Sequence, residues 1–344
     1  MDLVKLLRLL ARLSLVCVLF IFLAGSVVRM TGSGMGCPDW PKCFGRTIPP
    51  VSKDQVTWKP QTDFFEGQMI VHNETLYTSK LDFISSDNMD LDHWEPYTKH
   101  DYAVFNAFHI WVEFINRLTG VVAGIPVLLT LLLSFIVSRK KRKWWIFAAA
   151  MGAVFMMAFE AWLGKLVVDG NLIPGSITIH MVGAIFVVFF LQLIITRTKT
   201  NKLTISRPGK QLLWAFLVVA FVQLLLGTQV REAVDVLIKN NEFPRAEWIA
   251  NLPISFIIHR SFSWVILLLG GFLIYKDWKQ NNELGLWWRI GFWISFQIGI
   301  GIILAWFEMP KELQPLHLMG SIIMLLFVFE RILITQLPKK SSAA

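Results

Sequence analysis

Charge is scarce in this sequence of 344 residues, of which 17% are charged and 55% are hydrophobic. The mean hydropathy is +0.54. Soluble domains are rarely so apolar, and the composition therefore argues against a soluble globular protein. The formal net charge of +9 does not indicate a nucleic-acid partner, because the basic residues lie in short loops between apolar runs. In such loops they set the orientation of a membrane protein.

Eight apolar runs are each long enough to cross a bilayer, whose hydrocarbon core of roughly 30 Å needs about 20 residues. The predicted spans are residues 12–30, 109–137, 144–167, 176–196, 211–230, 254–275, 286–306 and 314–336. We therefore expect an all-α integral membrane protein embedded in a lipid bilayer. No small-residue cleavage site follows the first run, so we expect it to be a span and not a signal peptide.

Basic residues are concentrated at the termini and in alternate loops. This set contains Lys5, Arg8, Arg12, the run 139–143, Arg197, Lys199, Lys202, Arg207, Lys210, Lys276, Lys279, Lys339 and Lys340. By the positive-inside rule, both termini are expected to be cytoplasmic. The long first loop, residues 31–108, is then expected on the outer face of the cell (plasma) membrane.

Three segments recur in the same order in the two halves of the chain. Residues 25–29 match 227–231, residues 114–117 match 257–260, and residues 179–183 match 316–320. Four spans are an even number, so the two units are predicted to point the same way through the membrane. The sequence therefore predicts two parallel four-helix bundles, residues 1–200 and 201–344, with the long outer loop inserted in the first.

The repeat also sorts the histidines. His72, His93 and His100 lie in the outer loop and are interpreted as surface residues, whereas His259 and His317 occupy matched spans at similar depth. Ionisable residues inside a membrane are costly and mark function, although a lone histidine can also join two helices by a hydrogen bond. A facing pair of imidazoles within a helix bundle is suited to holding haem iron. Zinc is disfavoured, because no cysteine or carboxylate completes a set of four ligands.

The first unit lacks one of these imidazoles. Asn116 stands where the second unit has His259, which leaves His180 as the obvious iron ligand of the first unit. Iron with two imidazoles suits electron transfer, whereas iron with one imidazole keeps an open position for reaction. The sequence therefore predicts an electron-transfer site in the second unit and a reactive site in the first.

Two carboxylates and a further histidine lie near this predicted reactive site. Glu113 shares a helical stripe with Asn116 and is interpreted either as a proton-handling group or as a structural partner of Arg117. His109 is on the same stripe but about 10 Å further along the helix, which disfavours it as a replacement ligand. Glu160 matches Gln297 in the repeat, and the sequence does not separate a protonated structural donor from a proton relay.

Four arginines, Arg29, Arg117, Arg231 and Arg260, lie at or near the outer ends of their spans. Arginine pairs well with carboxylates such as the propionates of haem, and contact with lipid headgroups is the alternative.

Three cysteines are present. Cys37 and Cys43 are separated by five residues, two of them proline, in the predicted outer loop, which favours a disulfide. A thiol pair for redox exchange or metal capture is the alternative. Cys17 lies within the first span and is interpreted as a buried apolar residue.

Residues 29–45, together with residues 113–117, 179–180, 258–260 and 316–317, closely resemble the signature of the haem A synthase family. The resemblance covers all eight spans. It implies a haem b cofactor bound by His259 and His317, and a first unit that takes haem O as substrate. There the methyl at ring position 8 is oxidised to a formyl by two successive hydroxylations, with Glu113 and His180 in the reactive site. The family usually has histidine at the position of Asn116.

The resemblance further implies haem A biosynthesis for cytochrome oxidase assembly, with electrons from an unidentified donor. Delivery of haem O by a haem O synthase and assembly into a homo-oligomer are left open. A membrane cytochrome b that only transfers electrons would use the same pair of histidines and is the main alternative. A transporter built on parallel repeats is a third class.

Overall fold

The computed structural model describes residues 2–99, 105–169, 175–199, 207–240, 243–281 and 287–335. His100, Lys202, Lys339 and Lys340 lie outside the described residues. Within the described ranges, eight helices are long and apolar enough to span a membrane, which confirms the predicted all-α membrane class. They are α1 (Leu3–Thr31), α2 (Ala107–Lys141), α3 (Trp145–Asp169), α4 (Ser176–Arg197), α5 (Arg207–Asn240), α6 (Ile254–Asn281), α7 (Trp287–Trp306) and α8 (Leu313–Thr335).

Local side chains explain where two of these helices begin. The Asp2 carboxylate accepts a hydrogen bond from the Val4 N–H at the start of α1, and the Asn106 side chain accepts one from the His109 N–H at the start of α2. Helix α1 begins well before residue 12, because its first turns bury Leu7 completely despite the basic residues around it. Long basic side chains extend along a helix and keep their charges in water, which a purely apolar window does not anticipate.

The helices pack as two closed rings. Helices α1 and α3 each contact α2 and α4, and helices α5 and α7 each contact α6 and α8. Helix α8 also contacts α1 and α4, and α4 contacts α5, so the rings share one apolar core. This arrangement fits the expected pair of four-helix units. The repeat relation between the units remains a prediction.

Large apolar side chains also cover much of the outside of the bundle. The exposed side chains include Leu9 and Phe20 of α1, Leu132 of α2, Phe155 of α3 and Leu268 of α6. A water-soluble protein does not expose apolar surface on this scale, whereas a lipid-facing helix does.

The loop between α1 and α2 forms a small β domain, whose side of the bundle we call the loop side. One sheet pairs β1 (Asp63–Phe64) with β4 (Phe83–Ile84), and the other has the order β2 (Met69–His72), β3 (Thr75–Ser79) and β5 (Trp94–Pro96). All pairs are antiparallel. Asn73 and Glu74 form the β2–β3 turn with φ of 47° and 62°, as tight hairpins require.

The β domain is docked on the first turns of α2. Cys37, Cys43, Phe44 and Met69 form a buried cluster with Ile110 of α2, which is itself fully buried. The domain therefore lies directly above the part of α2 that carries Glu113 and Asn116.

Candidate functional site

His259 and His317 face each other near the beginnings of α6 and α8. Their ring centroids are 6.3 Å apart and their planes make an angle of 79°. An imidazole nitrogen binds a metal ion at about 2 Å, which puts two opposed ring centroids roughly 6 Å apart. The observed spacing therefore fits a metal ion held between the two rings.

The surroundings of the pair support the same interpretation. The Nδ1 atoms of both rings are buried and have no hydrogen-bond partner among the described residues. A Cβ added to Gly227 would lie 3.2 Å from His259 Cε1, and one added to Gly301 would lie 3.6 Å from His317 Cε1. Glycines thus leave room around each ring. Buried polar atoms without partners are unusual in proteins and call for an explanation, of which a bound ion or water is one.

Two glutamines hold the backbone of this pair. Gln223 Nε2 donates a hydrogen bond to the His259 carbonyl at 3.0 Å, and Gln297 Nε2 donates one to the His317 carbonyl at 2.7 Å. A carbonyl in the first turns of a helix already accepts an intrahelical bond, so the amides add a second donor and fix the positions of α6 and α8. Gln223 was missed from the sequence; its signal is a polar residue one turn before Gly227 on the same helix face.

His180 has a different environment from the other two histidines. Its Nδ1 atom contacts Glu160 Oε2 of α3, and its side chain is 45% exposed. The matched positions of the second unit pair Gln297 with the backbone of His317, not with its ring. The structure therefore brings Glu160 to His180, a contact that the sequence did not predict.

Asn116 of α2 lies against α1. A Cβ added to Gly25 would lie 3.7 Å from Asn116 Oδ1, just as Gly227 lies beside His259. Asn116 Oδ1 is buried without a hydrogen-bond partner among the residues that the structure describes. The amide oxygen is therefore available to a ligand.

Glu113 is almost fully buried, with 4% exposure. Its Oε1 accepts a hydrogen bond from Arg117 at 2.5 Å, and its Oε2 accepts one from the Cys37 N–H at 2.9 Å. The bond from Cys37 joins α2 to the loop, the bond from Arg117 lies within α2, and neither involves Asn116 or His180. The observed contact is therefore the one expected if Glu113 is a structural partner of Arg117. A role for Glu113 in proton transfer stays a prediction.

Arg117 completes the attachment of the loop to α2. It donates hydrogen bonds to the carbonyls of Asp39 at 2.7 Å and Lys42 at 2.9 Å. Burial raises the pKa of the Asp39 carboxyl, although the Gly45 N–H, which bonds to Asp39 Oδ2 at 2.9 Å, lowers it. Arg117 is therefore engaged by protein groups, and its predicted pairing with a propionate is not supported by these contacts.

We expect Arg117→Ala to expose the Cys37–Cys43 segment. The change leaves the buried Glu113 carboxylate without its cation, which costs about 3–5 kcal/mol, and removes both bonds to the loop. Limited proteolysis and the rate of disulfide reduction in detergent would measure the effect. Arg260→Ala is the matched control, because Arg260 holds the repeat position but is exposed. Equal sensitivity of the loop in both variants would contradict this role.

Cys37 and Cys43 are joined by a disulfide with a Cα–Cα distance of 4.9 Å, as predicted. Both are fully buried. Cys17 is free and half-buried. Thiol labelling of the denatured, unreduced protein should therefore modify Cys17 alone, and reduction beforehand should add two labelled sites. Labelling of all three cysteines without reductant would contradict the disulfide.

Arg29 and Arg231 meet between the two helix rings. Both form ion pairs with Asp235, the Arg231 contact being 2.6 Å. Arg231 also donates to the Arg29 carbonyl at 2.8 Å and to Gln314 at 2.6 Å. Asp235 was missed because it lies past the predicted end of span five at residue 230, whereas α5 continues to Asn240. The signal is the spacing of Arg231 and Asp235, which places opposite charges one helical turn apart.

Glu232 also interacts electrostatically with Arg29, so two carboxylates lie near the two guanidinium groups of this cluster. Two guanidinium groups share the Asp235 carboxylate, and the Nε atoms of both arginines are buried without hydrogen-bond partners among the described residues. Buried N–H donors of this kind suit an anionic ligand such as a carboxylate. Arg260 is exposed and lies 5.9 Å from the ring centroid of Phe256, so it is open to a ligand or to lipid headgroups.

His109 lies at the first turn of α2, with its backbone fixed from two sides. Its N–H is capped by Asn106 at 3.2 Å, and a Cβ on Gly36 of the loop would collide with its carbonyl. This packing agrees with an unshifted α2. His72 and His93 lie in the β domain, beside Tyr77 and Phe83 respectively, in keeping with their interpretation as loop residues.

The candidate positions share one end of the bundle. Asn116, His180, His259 and His317 all lie in the first few turns of even-numbered helices. Because successive spans alternate in direction, the even-numbered helices all begin on the loop side. The structure thus has two candidate ligand sites at similar depth, one with two imidazoles and one with a single imidazole and a carboxylate.

The chain matches a known protein family and is similar to several named proteins. The family described as Cytochrome oxidase assembly protein matches residues 8–84 and 89–329. The chain is similar to the Heme A synthase of Shewanella oneidensis, with 24% identity over 222 residues that cover 63% of this chain and 54% of the relative. It is also similar to the Heme A synthase of Bartonella tribocorum, with 22% identity over 343 residues, 90% of this chain and 86% of the relative.

A third relative, the Heme A synthase of Bartonella bacilliformis, is 26% identical over 181 residues, which cover 50% of this chain and 42% of the relative. The chain thus spans about half the length of the first and third of these relatives and most of the second. The family match covers both helix rings and most of the β domain. On that match, this chain belongs to the cytochrome oxidase assembly protein family.

Proposed function

We propose that this chain is a haem A synthase. It oxidises the methyl at ring position 8 of haem O to a formyl by two successive hydroxylations. The observation that carries the proposal is the unequal pair of sites, in which His259 and His317 face each other while the matched positions of the first unit hold Asn116 and His180. The similarity to relatives named Heme A synthase supports the choice of substrate.

His259 and His317 would hold the cofactor haem b through its iron. Bound there, haem b supplies one-electron transfer, since two imidazoles leave its iron without an open position. Gln223 and Gln297 hold the carbonyls of the two histidines, so the imidazoles are already positioned before a ligand enters. Such preorganisation reduces the ordering that binding requires.

His180 would bind the iron of the substrate haem O on one face. Asn116 would lie over the opposite face, where its amide is a poor metal ligand but a good hydrogen-bonding group. The first unit then differs from the second in the one respect that chemistry on the substrate requires, an open iron position.

Glu113 would connect the reaction to the loop side. Its carboxylate is held by Arg117 and the Cys37 N–H at the base of the β domain. From there it is one helical turn from Asn116 and is suited to accept or donate a proton near the open face. The β domain above it would keep bulk water away from the substrate, as reactive chemistry of this kind requires.

Arg29, Arg231 and Arg260 would bind the propionates of the two haems. The buried Nε atoms of Arg29 and Arg231 support this assignment, because they have no partner among the described residues. The loop side would face the outside of the cell, with both termini in the cytoplasm. Each hydroxylation would insert one oxygen atom of dioxygen into a C–H bond and reduce the other to water, so an external donor must supply two electrons each time.

The proposal is tested by giving the purified protein haem O with a limiting supply of chemical reductant. Two successive hydroxylations predict that the hydroxymethyl product appears first. The formyl product should follow, when the gem-diol formed by the second hydroxylation loses water. Reversible reduction of a low-spin haem without any product would instead indicate an electron-transferring membrane cytochrome b. A preparation that binds no haem would favour a transporter.

A further inference from the structure

The contact between Glu160 and His180 divides the roles of the two imidazole nitrogens. Nδ1 contacts Glu160 Oε2, and we assign the N–H of a metal-binding imidazole to this nitrogen, where the carboxylate lies closest. Nε2 then carries the free lone pair. The His180 side chain is 45% exposed, whereas that of Glu160 is 12% exposed, so the carboxylate lies behind the ring and the ring keeps an open edge.

The bundle is shaped to admit this carboxylate. Gly183 lies one helical turn after His180, and a Cβ there would collide with Glu160 Oε1. That oxygen is buried and accepts no hydrogen bond from any residue that the structure describes. Glu160 therefore has one oxygen held tightly against α4 and the other directed at the imidazole.

The second unit has a glycine at the matched position, but an amide takes the place of the carboxylate. Gly320 matches Gly183, and a Cβ at Gly320 would collide with Gln297 Nε2. Gln297 uses that amide to hold the His317 carbonyl and leaves His317 Nδ1 without a partner among the described residues. A neutral amide thus stands behind one histidine and a carboxylate behind the other.

We propose that Glu160 is a positioning residue for His180 and makes it a stronger electron donor to iron than either histidine of the second unit. The inference rests on the proposed function, in which His180 binds the iron of haem O. A carboxylate that accepts the Nδ1–H of a ligand histidine fixes the tautomer and the ring orientation and raises the basicity of the ligand nitrogen. The reactive site then differs from the electron-transfer site in two ways: it lacks one imidazole, and the imidazole it has is backed by the charge of Glu160.

Resonance Raman spectra of the ferrous, haem-loaded full chain test the inference. An iron–imidazole stretch is seen for iron with one imidazole and is silent for iron with two, so the signal reports the first unit alone. Glu160→Gln keeps the shape and removes the charge, and we expect it to lower the stretching frequency. Haem binding at this site should also weaken by about 10–100-fold, as for other partners of ligand histidines.

A second pair of variants covers the case in which Glu160→Gln fails to fold. Gly183→Ala should displace the Glu160 carboxylate and lower the iron–imidazole stretching frequency in the same way. Gly320→Ala disturbs only the matched position of the second unit and should leave that frequency unchanged. An unaltered frequency in both Glu160→Gln and Gly183→Ala would overturn the role of Glu160. If the wild-type protein shows no iron–imidazole band, or if its band persists in His180→Ala, then His180 is not the iron ligand. That result would overturn the proposed ligand and this inference with it.

Discussion

Replacing either His259 or His317 by alanine should abolish the low-spin haem spectrum of the second unit. The two rings stand at the separation that an iron held between them requires. Removing one ring leaves iron with a single imidazole, which changes its spin state or releases the haem. Absorption and electron paramagnetic resonance spectra of the purified variants measure the loss.

His72→Ala is the control, because His72 lies in strand β2 of the β domain. It should retain the low-spin spectrum in full. Unaltered spectra in both His259→Ala and His317→Ala would remove these residues as haem ligands. Loss in only one variant would contradict the facing pair and point to a different second ligand.

Replacing Asn116 by histidine should close the reactive site. Asn116 lies against Gly25 as His259 lies against Gly227, so an imidazole at position 116 would face His180 as its counterpart does in the second unit. Iron with two imidazoles loses its open position, so in this chain we expect a low-spin first site and slower oxidation, even though the family usually has histidine at this position. Spectra and product formation from haem O measure the two effects.

His109→Ala separates this account from the rival in which α2 shifts and His109 ligates iron. The first turn of α2 is capped by Asn106 and packed against Gly36, so we expect the variant to keep haem binding in the first unit. Loss of that binding in His109→Ala would show that the assignment of Asn116 to the open face is wrong.

The eight spans were predictable because crossing a bilayer depends on composition over about 20 residues, which the sequence states directly. The beginning of α1 and the end of α5 were harder to predict. Leu7 is buried among basic residues, and Asp235 belongs to a helix that continues past the apolar run. Both cases depend on tertiary contacts that neutralise or shelter charge, and local hydropathy does not report them.

The strands of the β domain were not predictable in the same way. They are two to five residues long, and burial along them does not alternate regularly. Strands this short owe their structure to packing around Phe44 and Trp94 and not to propensity.

The repeat placed the histidines but not their partners. Matching residues 179–183 with 316–320 puts His180 and His317 at equivalent positions, yet the ring of one contacts Glu160 and the backbone of the other contacts Gln297. Likewise, the spacing of Glu113 and Arg117 predicted their contact, while the bonds to the disulfide segment depend on where the β domain docks. A repeat defines backbone positions, and side-chain partners follow only from the packed structure.

Expression of the full chain in cells that accumulate haem O, followed by haem extraction and chromatography, tests the proposed activity most directly. The proposed function predicts that haem A appears with the wild-type chain. It also predicts that His180→Ala and His259→Ala leave only haem O, although both proteins are present in the membrane. Haem O alone in cells that contain the wild-type chain with its low-spin haem would contradict a haem A synthase.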